Sequence, residues 1–243
     1  MTMLSGTRRQ SSERPMSSRA PSKTKLAFWD DFCREHRVLE KAVPLFALSN
    51  SVVSVRNVGK NSRPVLRRSP EMEALVISET KKVLLDYETA AGEYEGLIYM
   101  MLWRGGRRVI PLYIGKSEKY GRKSGNLSAN IARIEKNNHK FCRWGDNYRY
   151  HVGDLSAVVC PGHPKQDKKY LKWAERLFAS WDGPGPKLRR ETLFWMEAWR
   201  RGGSGPWKEY GETSLTFLEY QLIGVASDLF ADVLLNEEGV NRC

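Results

Sequence analysis

Residues 96–115, Gly-Leu-Ile-Tyr-Met-Met-Leu-Trp-Arg-Gly-Gly-Arg-Arg-Val-Ile-Pro-Leu-Tyr-Ile-Gly, leave this chain few ways to fold. Two apolar runs, Leu97–Trp103 and Val109–Ile114, flank a polar loop, Arg104–Arg108, that carries Gly105 and Gly106. Runs of this length rich in Ile, Leu, Tyr and Val, divided by a glycine loop, predict a β-hairpin. Closure symmetric about Gly106 sets Trp103 opposite Val109 and Tyr99 opposite Tyr113. Directly opposed residues share a sheet face with Cβ atoms about 5 Å apart. Two phenols are therefore expected side by side, and a slip of one residue would send them to opposite faces.

The remaining elements are expected around this hairpin. Phe28, Phe32 and Leu39 mark a helix from Phe28 to about Ala42 that Pro44 ends. Ser51–Val58 is β-prone, and Ser69-Pro70 pairs an N-cap serine with a first-turn proline. The helix they open carries Met72, Leu75, Val76 and Val83 and stops near Gly92. A further helix is expected from Leu127 to Lys136, a third strand at His151–Cys160, and a long last helix from Leu215 to about Leu235. The fold class expected is α/β of the α+β kind: a small antiparallel three-stranded sheet flanked by helices. Its divisions are a disordered basic tail (1–25), a helical N-terminal extension (26–92) and the sheet domain (93–243), with a helical insertion (161–212) before the last helix.

Composition narrows the function. With 40 Lys and Arg against 28 Asp and Glu, the formal charge is +12, which suits an anionic partner, nucleic acid being the commonest. No apolar run approaches the roughly 20 residues of a membrane span, and the polar start lacks the apolar core of a secretory signal. Cys33, Cys142, Cys160 and Cys243 are too widely spaced for a disulfide framework. A reduced, cytoplasmic protein with no membrane partner is expected; the oligomeric state has no sequence signal.

Leu97-Ile98-Tyr99 followed by Tyr113-Ile114-Gly115-Lys116 resembles the paired signature of the GIY-YIG nucleases, closest in spacing to their restriction-enzyme-like branch. Leu97 stands where the family has glycine, and Gly96 lies one place earlier. The resemblance covers residues 96–240 and implies a metal-dependent endonuclease that hydrolyses phosphodiester bonds of DNA, with double-stranded DNA the expected partner. It places Tyr99 and Tyr113 beside the scissile phosphate, one of them helping to deprotonate the attacking water. A free phenol has a pKa near 10, so it needs a nearby cation to act at neutral pH, and Lys116 is the candidate. The resemblance also implies an arginine aimed at the phosphate, a role the planar, permanently charged guanidinium suits. Arg122, close behind Tyr113 as in compact homing enzymes, and Arg133, farther on and inside the expected helix, both fit. Glu219 in Phe217-Leu218-Glu219-Tyr220 is the implied ligand of one magnesium or manganese ion, and Asn236 in Leu235-Asn236-Glu237 its partner near a turn. Glu219 shares a stripe with Leu222, Ile223, Ala226 and Phe230, where a carboxylate is costly unless paired or bound to a cation. Glu175 is the rival glutamate.

Two features lie outside the resemblance. His139-x-x-Cys142 and Cys160-x-x-His163 bracket the expected third strand and supply the four ligands of a structural zinc site. Residues 161–212 carry Trp173, Trp181, Trp195, Trp199 and Trp207 among Lys187, Arg189, Arg190, Arg200 and Arg201, a mixture suited to base stacking and phosphate contact. The rival readings are a basic nucleic-acid-binding protein that keeps the scaffold without cutting, and an RNA-directed nuclease.

Overall fold

The computed structural model describes residues 23–121, 125–183 and 185–238. In chain order, helices α1 (Lys23–Glu35) and α2 (Val38–Lys41) lead to strands β1 (Val43–Pro44), β2 (Leu48–Ser49), β3 (Val52–Val53), β4 (Val55–Val58) and β5 (Arg63–Leu66). Helix α3 (Pro70–Glu88) precedes the long hairpin β6 (Tyr94–Gly105) and β7 (Arg108–Glu118). Then come α4 (His151–Val159), α5 (Leu171–Leu177), β8 (Phe178–Ser180), β9 (Lys187–Leu188), β10 (Leu193–Arg200) and α6 (Leu215–Leu229). Of the 1–25 tail, residues 23–25 open α1; the rest lies outside the described residues.

The main sheet is antiparallel with strand order β1-β10-β6-β7, so it has four strands where three were expected. Its third long strand is β10, inside the stretch taken for a helical insertion, while His151–Cys160 forms α4. The physical cause is the same in both. A central strand buried on both faces and a helix buried all round each read as a continuous apolar run. Trp195 and Trp199 misled further, because a spacing of four fits one helical turn and two strand repeats alike. The strand buries them with Leu193 on one face and Phe194, Met196 and Ala198 on the other. Gly153 permits the all-round burial of α4: a Cβ there would lie 1.7 Å from the Asn147 carbonyl oxygen.

Each sheet face carries its own core. On one, α3 (Met72, Val76, Val83), α4 (Val152, Leu155) and α5 (Ala174, Leu177) pack on Leu97, Tyr99 and Met101. On the other, α1 (Trp29, Phe32) and α6 (Leu218, Leu222) pack on Ile98, Met100 and Ile114. The N-terminal segment 26–92 is thus not a helical extension alone. It supplies sheet strand β1, two short pairings, and helices on both faces. Helix α3 starts as its sequence predicts, with the Met72 N–H donating to Ser69 Oγ at 2.9 Å and Pro70 in the first turn. The helix expected at 28–42 starts earlier and breaks at Arg37, which takes a left-handed φ of 52°. The helix expected at 127–136 forms only a single 3-10 turn at 134–136. The last helix ends at Leu229; the chain turns at 230–234 and meets β7 at Leu235 and Asn236.

Candidate active site

The hairpin brings the two motif tyrosines to one face by a different register from the symmetric one. Gly105 pairs with Arg108, so the turn has two central residues, with Gly106 first at a φ of 63°, the glycine-first pattern of a type II′ turn. That change alone shifts the strands by one residue. A bulge between Met101 and Leu102 shifts them by one more, so Tyr99 pairs with Gly115 and Tyr113 with Met101. Two odd shifts make an even one, and the shared face survives. The ring centroids lie 6.4 Å apart. Gly115 has no side chain because the Tyr99 ring lies across it: a Cβ would stand 2.7 Å from Cε2. Gly96 is needed at its own place, where a φ of 150° and the approach of Leu215 and the Ser117 carbonyl exclude a side chain.

Tyr113 is half-buried on the edge strand and opens into a cavity of about 330 Å³. Tyr99 lies deeper, 2% exposed, against Phe194 and Trp144. Burial pushes the Tyr113 phenol up to about 12, with Glu219 adding and Arg143 opposing; Tyr99 is raised well above its usual value, mainly by burial. The cation acting on both phenols is therefore Arg143. Lys116 does not share their side. Strand alternation sends it to the other face beside Ile114, where its ammonium pairs with Glu118 and acts on Glu219.

Arg143, not Arg133, is the arginine that lines this cavity. Arg133 is exposed at a left-handed φ of 59°, beside Lys81 and Lys136 in a separate groove. Arg122 lies outside the described residues. Arg143 ends a run of three positive-φ residues, Phe141 (28°), Cys142 (49°) and Arg143 (72°). Such residues each cost about 1–3 kcal/mol and persist only where the surroundings hold them. Here Arg68, buried beneath the turn, donates from Nη1 to the Trp144 carbonyl at 3.1 Å. Its guanidinium carbon also lies 4.4 Å from the Phe141 ring centroid. Nε of Arg68 is held in turn by Glu73 at 3.0 Å. Cys142 Sγ bonds the Asn130 carbonyl and Thr80 Oγ1, both at 3.2 Å.

His151, expected at the start of a strand, opens α4 and lines the cavity instead. Its ring stacks on Trp173 and its Nδ1 lies 2.7 Å from Tyr170 Oη. From the opposite side of the sheet edge, α6 contributes Glu219, half-buried and close enough to Lys116 for that residue to act on its carboxyl. Burial raises the Glu219 pKa, Lys116 opposes, and Glu118 and Glu238 add to the rise. The rival Glu175 is exposed on α5, its carbonyl accepting from Arg189.

Asn236 does not orient Glu219. Its Oδ1 accepts the Ile114 N–H at 3.0 Å and its Nδ2 donates to the Ile114 carbonyl at 2.8 Å, while the Leu235 N–H bonds the Leu112 carbonyl at 2.7 Å. The carboxamide imitates a strand partner and closes the edge of β7 between the motif residues. Asn236 thereby fixes the chain that carries Glu237 and Glu238 to the cavity wall.

The cavity's donor chemistry fits one hard cation. Magnesium usually takes one or two carboxylates plus water and substrate oxygens, and Glu219 is a carboxylate whose burial and acidic neighbours favour such a partner. The zinc ligands expected from sequence do not assemble: among the described residues no three His, Cys, Asp or Glu side chains converge as a metal cage. His139 is exposed and bonded to Asp146, Cys142 is taken by Asn130 and Thr80, Cys160 is in the core, and His163 Nδ1 bonds the Lys165 backbone. Of the five tryptophans expected to form a recognition surface in 161–212, Trp173, Trp195 and Trp199 are core residues, while Trp181 and Trp207 are partly buried against the core. Among the described residues no helix is long and apolar enough to cross a membrane. No family model matches this chain, and no curated protein or solved structure matches it significantly.

Proposed function

We propose that the cavity at the edge of β7 hydrolyses phosphodiester bonds of DNA, as the resemblance to GIY-YIG nucleases implies. One observation carries this reading. Tyr113, Arg143, His151 and Glu219 come from a strand, a strained turn and two helices, and all line one cavity of about 330 Å³. Such a convergence of a phenol, a guanidinium, an imidazole and a carboxylate suits phosphoryl transfer, where catalysis is largely positioning and charge stabilisation.

In this reading Arg143 grips two oxygens of the scissile phosphate with its guanidinium fork. Tyr113 holds the attacking water and takes its proton, and Arg143 is the neighbour that favours the phenolate. Tyr99 packs behind Tyr113 and fixes its ring. Glu219 is the residue that would hold magnesium or manganese, which when bound neutralises charge developing on the transferring phosphoryl group. Lys169, whose side chain is largely exposed at the cavity lip, adds positive charge where the DNA backbone would enter.

The rival is a DNA-binding scaffold that does not cut, and the phenol pKa of about 12 at Tyr113 is the observation in its favour. Incubation of the purified protein with supercoiled plasmid, with and without magnesium, separates the two. Magnesium-dependent nicking supports the nuclease; tight, salt-sensitive binding with no cleavage in magnesium or manganese supports the scaffold. Competition by RNA in the same assay decides between the nucleic acids.

A further inference from the structure

His151 is 9% exposed, and its Nε2 is buried with no hydrogen-bond partner among the described residues. Its Nδ1 lies 2.7 Å from Tyr170 Oη, which is that hydroxyl's only partner among the described residues. The ring is fixed on three sides, stacked on Trp173 at 5.3 Å and set against Trp144 at 4.9 Å and Tyr113 at 5.0 Å. The orphan nitrogen belongs to a residue that lines the same cavity as Arg143 and Glu219.

The two neutral tautomers leave different remainders. With the proton on Nδ1, the imidazole donates to Tyr170 Oη, and both the phenol proton and the Nε2 lone pair go unmet. With the proton on Nε2, Tyr170 donates to Nδ1, and only Nε2–H is unmet. Buried polar groups are nearly always satisfied, so the second arrangement is favoured, and its single unmet group is a donor. An anionic oxygen in the cavity would complete it.

We propose that Tyr170 holds His151 in the Nε2–H tautomer, making the imidazole a neutral hydrogen-bond donor to a phosphoryl oxygen in this cavity rather than a proton acceptor. The proposal rests on the phosphodiesterase reading for the identity of the oxygen, but not for the tautomer. Charge agrees with it. Burial first, then Arg143 and Lys169, hold the His151 pKa down to about 3, so the ring is neutral at pH 7 and too weak a base to accept a proton from water. A neutral donor suits charge that grows during the reaction, because it needs no counter-ion in the resting site. His151 is then a catalytic residue and Tyr170 a positioning residue.

Nitrogen-15 NMR of the full-length protein without DNA reads the tautomer directly. Nε2 should be protonated and Nδ1 bare in the wild type, with the preference lost in Tyr170→Phe; a protonated Nδ1 in the wild type overturns the proposal whether or not the protein cuts DNA. Titration with inorganic phosphate should shift the Nε2–H resonance, and a resonance that stays fixed at saturation removes the donor role. In cleavage, His151→Ala should lose roughly 10²–10³-fold, the loss typical of a deleted oxyanion donor. His151→Gln, which keeps an N–H near Nε2 but no basic nitrogen, should stay within about tenfold of wild type. Gln as inactive as Ala, with both proteins folded, would make His151 a base. A wild-type protein with Nε2–H and a phosphate-shifted resonance, yet no nuclease activity, would refute the phosphodiesterase reading and leave the donor intact.

Discussion

Gly115→Ala adds one methyl group to the second half of the tyrosine motif. The new Cβ would lie 2.7 Å from Tyr99 Cε2, 2.8 Å from its Oη and 2.9 Å from its Cζ. Carbon atoms in contact normally sit about 3.5–4.0 Å apart, so the overlap approaches an ångström. The ring has no free side to yield toward. Phe194 stacks on it at 6.2 Å, Trp144 meets it edge-on at 5.9 Å, and Tyr113 lies at 6.4 Å. Overpacking of a tight core costs about 1–3 kcal/mol, and that loss is expected in urea unfolding followed by tryptophan fluorescence. Tyr99→Ala alone should cost about 3–5 kcal/mol. Adding Gly115→Ala to that background should cost less than about 0.5 kcal/mol, because the obstacle has gone. A loss under about 0.5 kcal/mol for Gly115→Ala alone, or the same loss in both backgrounds, would refute the claim that Tyr99 imposes the glycine.

Asp86 and Lys119 form an ion pair with both side chains 2% exposed, so Asp86→Asn leaves a buried ammonium unpaired and should cost about 3–5 kcal/mol at pH 7 by urea titration. Burial raises the Asp86 pKa, but hydrogen bonds from Lys119 and the Glu93 and Tyr94 N–H groups outweigh it and leave it lowered. Its contribution is therefore present above the unfolded value of about 3.9 and lost as pH falls through the folded one; the variant should lack that part of the acid slope, and an unchanged slope would contradict the pairing. Tyr113→Phe should cut at least about 10²-fold more slowly with DNA affinity nearly unchanged. If Tyr113 takes the water's proton as proposed, wild-type kcat/KM should climb about tenfold per pH unit up to the tyrosine pKa, and Phe should abolish that climb. Arg143→Ala should lose about 10²–10³-fold in rate while Arg133→Ala keeps it; the reverse result returns the phosphate role to Arg133.

The features legible in the sequence are those with local causes. Ser69-Pro70 caps α3 through contacts inside its own first turn, and the hairpin is written in the apolar runs around Gly106. The expected register of Tyr99 and Tyr113 is wrong by two residues although the shared face is right. The markers were Gly106, first in a two-residue turn, and Pro111, a strand proline beside the bulge. Non-local features were illegible. Whether residues 151–160 or 193–200 form the third strand depends on which run finds a sheet edge, and both are buried along most of their length. Arg143 was missed because its direction comes from a non-helical turn pinned by Arg68. Its one signal is a charged residue set between the core side chains Phe141, Cys142 and Trp144 and followed by Gly145, where a Cβ would lie 1.9 Å from the His139 carbonyl oxygen. Asn236 lies where the resemblance puts it, but only the structure shows both ends of its carboxamide spent on Ile114.

The rate of magnesium-dependent plasmid cleavage by Glu219→Gln, beside Glu175→Gln, bears most directly on the nuclease reading. The substitution is close to isosteric and removes the charge that would hold the cation, whose transition-state stabilisation is worth several kcal/mol. At about 1.4 kcal/mol per tenfold, Glu219→Gln should lose at least about 10²–10³-fold in rate with fold and DNA affinity retained. Glu175→Gln, exposed and outside the cavity, should cut like wild type. Cleavage at the wild-type rate by Glu219→Gln would contradict the reading, and loss confined to Glu175→Gln would move the metal site to α5.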